Sequence, residues 1–234
     1  MSLLIPKAAE QEESHWLSVS DLMAGLMMVF LFVAVALMLK VSTDKAKIES
    51  VAVAYQENQV AIYDALMKEF SDDLDRWDAR IDQDSLTFIF QSPEILFARG
   101  RADLTPGYRD LLNDFFPRYM AVLWVFKDSI DEVRIEGHTS SIWNGYVSDT
   151  EAYFKNMELS QNRTRSVLSY IYQLPDVSER TAWIKRHIAA VGLSSSRVLL
   201  DENGSEDGAA SRRVTFRVIT NADIQMRKIL ELQQ

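Results

Sequence analysis

Trp16–Leu39 reads WLSVSDLMAGLMMVFLFVAVALML, 24 residues whose only charge is Asp21. At about 1.5 Å of rise per residue, such a helix reaches roughly 36 Å, enough to cross a hydrocarbon core of about 30 Å with some tilt. No polar face interrupts its second half, so it does not read as the core helix of a globular domain. A cleavable signal peptide is the competing reading, and Ala34-Val35-Ala36 offers a small-x-small pattern. Against it, the run is too long, and the upstream flank sets Glu10, Glu12 and Glu13 against Lys7. The segment is expected to span a membrane and to be retained. Lysine and arginine counting leaves its orientation open, because Lys7 precedes it, Lys40, Lys45 and Lys47 follow it, and a long domain lies beyond.

Averaged over all 234 residues the composition is ordinary for a globular protein, with 47% hydrophobic, 10% aromatic and 25% charged residues. Its 25 basic and 34 acidic residues give a net charge of −9, so no positive field favours broad contact with DNA or RNA. The absence of cysteine rules out a disulfide framework, thiol catalysis and a thiolate metal site.

Downstream of the apolar run, residues 41–82 read as a polar helical stretch. Ile62, Leu66, Phe70, Leu74, Trp77 and Ile81 recur every three or four positions, and Ile48, Val51 and Tyr55 extend the stripe upstream. Such a seam packs against its own domain or against a second copy of the helix. The opposite face is acidic (Asp72, Asp73, Asp75, Asp78), which argues against a lipid-surface role. From about residue 85 strands and helices alternate. Ser85–Phe90, Asp131–Glu136, Arg197–Leu200 and Arg213–Val218 have strand character, and Phe97–Thr105, with Gly100 and then Pro106, reads as a loop. Tyr108–Phe126, Asn156–Leu174, Thr181–Val191 and Ala222–Leu232 read as helices.

Asp21 falls about five residues inside the apolar run, where an ionised carboxylate costs a few kcal/mol. Two readings follow: a tolerated or helix-pairing acid, or a carboxylate that binds and releases a cation. The second is preferred, because intramembrane acids mark ion pathways. At 100° per residue Ser14, Ser18, Asp21 and Gly25 share one narrow sector, which admits a neighbouring helix and offers hydroxyls to the acid. Ser18 and Asp21 are the candidate ion-binding pair. A membrane potential supplies about 2.3 kcal/mol per charge per 100 mV, adequate to drive a conformational step. One helix cannot enclose such a path, so partner helices are required. Other chemistry is thinly represented. His15, His138 and His187 lack metal-ligand spacing, and no phosphate loop, nucleophile elbow or HExxH motif occurs. The chain is expected to make no covalent bond, to need no cofactor and not to be an enzyme.

Ser20–Met28 (SDLMAGLMM) followed by Phe30-Leu31-Phe32 resembles the single membrane helix of stator B subunits from flagellar motors and related ion-driven machines. The C-terminal half resembles an OmpA-type peptidoglycan-binding domain. Ile135-Glu136-Gly137-His138-Thr139 is similar to its I-x-G-H-T strand and loop, Asn156–Arg163 (NMELSQNR) to its N-x-x-L-S-x-x-R helix start, and Arg212-Arg213-Val214 to the R-R-V that opens its last strand. Among stator-like B subunits, the acidic N-terminus, Gly25 and Leu26–Phe30 are most similar to those of Zorya anti-phage systems.

The resemblance implies an α+β protein with a cytoplasmic N-terminus (1–15), a transmembrane helix (16–39), a linker or dimerisation helix (40–84), an OmpA-like α/β periplasmic domain (85–221) and a C-terminal helix (222–234). It further implies an inner-membrane homodimer inside a ring of five MotA-like, ZorA-type A subunits, driven by proton or sodium flow past Asp21 and gripping peptidoglycan. Thr139, Ser140, Asn156, Leu159, Arg163 and Arg213 are the implied wall-binding residues. A flagellar stator subunit and a passive tether from membrane to wall are the rivals. The family follows G-H-T with an Asp that recognises the diaminopimelate of the peptide stem, whereas Ser140 stands here. A longer stretch, Ser141–Phe154, then carries Asp149 and Glu151, and Asp149 is the candidate replacement acid.

Overall fold

The computed structural model describes residues 7–91, 96–143 and 147–224, with side chains from Val19 onward. The described part of the expected C-terminal helix is limited to 221–224, which are helical. The chain divides into two compact units, Met1–Ser50 and Val51–Gln234. Helix α1 is Lys7–Phe70, and Val19–Lys47 is exposed along its length, with Leu22, Met27, Phe32 and Met38 at 68–75%. Among the described residues, α1 is the one helix long and apolar enough to cross a membrane.

The second unit is built on a five-stranded sheet, ordered β1-β2-β5-β3-β4. Its strands are β1 (Ala79–Asp82), β2 (Thr87–Phe90), β3 (Ile130–His138), β4 (Ile188–Gly192) and β5 (Arg213–Thr220). All neighbours are antiparallel except β3 and β4, which run parallel. Parallel strands need a crossover, supplied by α3 (Asp149–Ile171), a short 3₁₀ turn and α4 (Thr181–His187). Helix α2 (Pro106–Val125) starts where Pro106 presets its first turn and Thr105 Oγ1 accepts the Tyr108 N–H at 3.1 Å.

Strands β2 and β5, buried at nearly every residue, and the buried face of α2 meet in one aromatic core. The Phe115 ring lies 4.7 Å from Phe88, 4.9 Å from Tyr119, 5.1 Å from Phe90, 5.2 Å from Phe216 and 5.4 Å from Phe70. Phe70 brings the end of α1 into this core, with Ile62 and Leu66 fully buried beside it. The seam expected along this stretch is therefore taken up by the chain's own domain and is not free to pair with another copy at these positions.

Four expectations are corrected. Helix α1 stops at Phe70, and Ile81 belongs to β1 opposite Phe88. The break lies in 71–78, where turns end at Asp78 with a positive φ of 45°. Helix α3 begins at Asp149, where Ser148 caps it by accepting the Glu151 N–H, so Asn156 lies two turns inside. Ile188–Gly192 forms β4 instead of continuing a helix, because pairing Val133 with Ile188 through Gly137 with Gly192 satisfies its backbone against β3. Arg197–Leu200 contributes one isolated bridge, Leu200 with Glu206, in place of a strand.

Leu66→Ala should cost about 2–5 kcal/mol by opening the core, whereas Val60→Ala at an exposed site should stay within about 0.5 kcal/mol. Thermal melts of the purified chain followed by circular dichroism check the contrast.

Candidate functional site

The C-terminal end of β3 is where the site residues gather, and two glycines decide how. Gly137 and Gly192 are register partners on β3 and β4, and α3 crosses directly over them. A Cβ on Gly137 would lie 2.9 Å from the Ser160 carbonyl oxygen, and one on Gly192 would lie 2.7 Å from Ser160 Oγ. Only bare backbone permits this approach, which fixes α3 against the strand ends. Ser160 Oγ also accepts the Ser194 N–H at 3.1 Å, and the Ser194 carbonyl accepts the Thr139 N–H at 2.9 Å.

On that frame the loop after β3 is pinned. Asn156 Nδ2 donates to the Ser140 carbonyl at 3.1 Å, with both residues buried. Asn156 thus acts as a buried clamp on the loop. Thr139 is buried, its Oγ1 without a partner among the described residues. Leu159 is half-buried on α3. Arg163, two turns beyond Asn156, is 8% exposed; its Nε donates to the Arg101 carbonyl at 2.9 Å and its guanidinium stacks 4.8 Å from the Phe97 ring centre. No carboxylate pairs with it among the described residues, and burial, with the charge of Arg212 adding to it, pushes its pKa down to about 10. It remains a cation at neutral pH, held in a poorly solvated place without an anion.

Arg213 is engaged otherwise. Its guanidinium donates to the Ser211 and Arg197 carbonyls, both at 3.1 Å, beside the Glu136 carboxylate. Arg212 is the member of the Arg212-Arg213 pair that stands at the loop: its Nη1 lies 3.5 Å, and Ser140 Cβ 3.7 Å, from where a Gly208 side chain would begin. Asp149 sits exposed in the first turn of α3, two turns from the Asn156 clamp. The acid brought to the loop is Glu206, whose Oε1 accepts the Ser141 N–H at 2.8 Å and whose Oε2 accepts the Ser141 hydroxyl. It lies 65 residues away in sequence and no spacing points to it.

Beneath the loop, Glu136 and His138 are buried side by side, Oε2 to Nε2 3.6 Å, with Arg197 Nη1 3.5 Å from the same oxygen. Burial opposes ionisation of Glu136, but His138, Arg197 and Arg217 hold its carboxyl below the usual range. For His138 burial outweighs the pull of Glu136, and its imidazole stays below the usual range. A hollow lies elsewhere, an open groove of about 300 Å³ lined by Arg76, Trp77, Leu96, Gly107, Asp110, Leu111 and Asp114. Its arginine is tied to Asp73 and Asp114.

At the other candidate site, Asp21 makes no hydrogen bond or ion pair among the described residues, and nothing lies within 4 Å of a side chain placed at Gly25. The side chains of Ser14 and Ser18 lie outside the described residues.

A mixed sheet with a helix crossing paired glycines, joined to one long apolar helix, defines the class as an OmpA-type domain behind a candidate transmembrane helix, and residues 96–213 match the OmpA family. The Zorya protein ZorB of Escherichia coli (strain ATCC 8739) is 51% identical over 227 residues, covering 97% of this chain and 96% of that protein. The chain belongs to the OmpA family and is a homologue of ZorB. Among solved structures, a MotB-like protein from Desulfovibrio vulgaris is similar at 23% identity and a TM-score of 0.49, over 69% of this chain and 91% of that one. The cell wall anchor of the T6SS from Pseudomonas aeruginosa is similar at 21% and 0.46, over 67% and 97%.

Because His138 is held neutral when folded but takes a proton near pH 6.5 when unfolded, the stability it contributes is present above about pH 6.5 and lost as pH falls below it. The melting temperature should drop between about pH 7.5 and pH 5.5, above the range where Glu136 titrates, and His138→Gln should flatten that drop.

Proposed function

We propose that this chain is the B subunit of an ion-driven stator of the Zorya anti-phage type, anchored to peptidoglycan. The observation that carries the reading is a coexistence within one ZorB homologue. An apolar helix holding a single acid, Asp21, is joined to an OmpA-type domain whose buried Arg163 lacks an anion. In this reading α1 crosses the inner membrane with its N-terminus in the cytoplasm, and the domain lies in the periplasm. Two copies sit within a ring of five MotA-like, ZorA-type A subunits. Asp21 of each copy takes up and releases a proton or sodium ion as helices of the ring pass it, and each charge change is coupled to a rotational step by the membrane potential. Ile62, Leu66 and Phe70 are committed to the domain core, so pairing between copies falls to residues upstream of Val51.

The wall provides the counterforce. Arg163 offers a planar, charge-assisted contact to a carboxylate of the peptide stem, and that carboxylate supplies the anion its surroundings lack. Asn156, through its hold on the Ser140 carbonyl, keeps the loop in place for the contact.

Asp21→Asn should leave the chain assembled with its A-type partner while abolishing protection against phage; retained protection would remove the ion-carrier role, and lost co-purification would favour a passive tether. Arg163→Met, which keeps the packing on Phe97, should hold the melting temperature while reducing co-sedimentation of the full chain with purified sacculi at least about tenfold.

A further inference from the structure

The last turns of α1 press one apolar face into the core, where Ile62, Leu66 and Phe70 are fully buried. The turn between β1 and β2 meets the helix at Gln59, whose Nε2 donates to the Gln83 and Asp84 carbonyls at 2.7 and 2.8 Å. At 100° per residue Tyr55, Ala52 and Val51 continue the same face. All three are half-buried, although Val51 lies about 12 Å of helix beyond Gln59. The other side of these turns is bare: Val53 is 54% exposed, and Ala54, Glu57 and Val60 are exposed with it. Cover therefore continues on one side of α1 beyond the reach of that turn.

The chain brings its own candidate to that place. Strand β5 ends at Thr220, whose Oγ1 accepts the Asp223 N–H at 3.1 Å and opens the helical turn at 221–224. Asn221 fixes the root of this turn: its N–H donates to the Ser129 carbonyl at 2.9 Å and its Nδ2 to the Asp128 carbonyl at 3.0 Å. Thr220 and Asp223 line one small hollow together with Tyr55 and Gln59 of α1. The segment that follows thus leaves the sheet beside the half-buried stripe. Its sequence, QMRKILELQQ over 225–234, keeps a helical pattern. Ala222, Met226 and Ile229 share a narrow sector, Leu230 and Leu232 flank it, and Arg227 and Glu231 lie opposite. From Ala222 to Leu232 such a helix spans about 15 Å, enough to cover the 12 Å or so from Gln59 back to Val51.

We propose that residues 225–232 continue this turn as a strap lying antiparallel on α1, with Met226 and Ile229 covering Tyr55, Ala52 and Val51 of the same chain. A second copy of α1 is the rival occupant. It has to arrive by diffusion, whereas the strap is tethered beside Tyr55 and acts at the high effective concentration of a short link. The strap splints residues 51–59 to the domain and closes their apolar face to other chains, leaving the side of Val53 and Val60 open. The inference goes beyond the stator reading and does not rest on it.

The chain holds no cysteine, so introduced pairs report on this contact directly. In the full-length chain in detergent, Val51→Cys with Ile229→Cys and Tyr55→Cys with Met226→Cys should each be joined by a short bis-maleimide within one chain. The product should run as a monomer on a denaturing gel, with the two peptides linked in the mass spectrum. Val53→Cys with Ile229→Cys, on the bare side, should not be joined. Ending the chain after Ile224 should speed amide hydrogen exchange over 51–58 by about tenfold or more and leave 62–70 unchanged, since the core keeps all its side chains. Ile229→Asp should do the same in the chain of full length. Exchange over 51–58 that stays unchanged in both variants would overturn the inference. So would a cross-linked dimer formed by Val51→Cys alone with no intrachain product from either pair, which would assign the stripe to a second copy. Both of those results leave the stator reading standing.

Discussion

The close approach of α3 to the paired glycines Gly137 and Gly192 is the constraint on which the domain depends. A helix seated directly on strand backbone cannot slide without clashing, and its face is locked by Ser160, which bonds across to Ser194. That seat fixes Asn156, Leu159 and Arg163 in one line along the ends of β3 and β4. The loop after β3 is then positioned by side chains on a rigid element, the arrangement that holds a geometry best.

Energetically the domain separates two jobs. The aromatic core around Phe115, with Phe70 from α1, supplies burial and holds the end of the first helix as part of the domain. Any force arriving along residues 51–70 therefore enters through Ile62, Leu66 and Phe70, packed side chains that resist displacement better than a solvated tether. The end of β3 bears the opposite character. Arg163 is kept charged and poorly solvated there, and Thr139 Oγ1 and His138 Nδ1 are buried without partners among the described residues. Such groups cost stability where they stay unpaired.

Position along the strand also separates neighbours that look alike in sequence. Arg213 enters β5 and turns to the Ser211 and Arg197 carbonyls near Glu136, while Arg212, one residue earlier, meets the Ser140 loop. Adjacent side chains at a strand start face different surroundings. The R-R-V pattern alone assigns no role to either arginine.

The sequence by itself determined the apolar helix and its single acid, because 24 residues without another charge leave no alternative burial in water. It also determined α2, β3 and β5, whose periodicities are long enough to be unambiguous, and the presence of Gly137, Asn156 and Arg163 at one site through their shared motifs. Only the tertiary structure decided β1 and β4, segments of four and five residues whose backbone groups become strand when a neighbour is there to pair with them. It also decided that the stripe Ile62, Leu66 and Phe70 closes on its own domain, and that Glu206, with no local pattern to mark it, binds Ser141 in the loop after β3. Contacts across 65 residues arise from how the chain returns upon itself, and periodicity carries no information about that return.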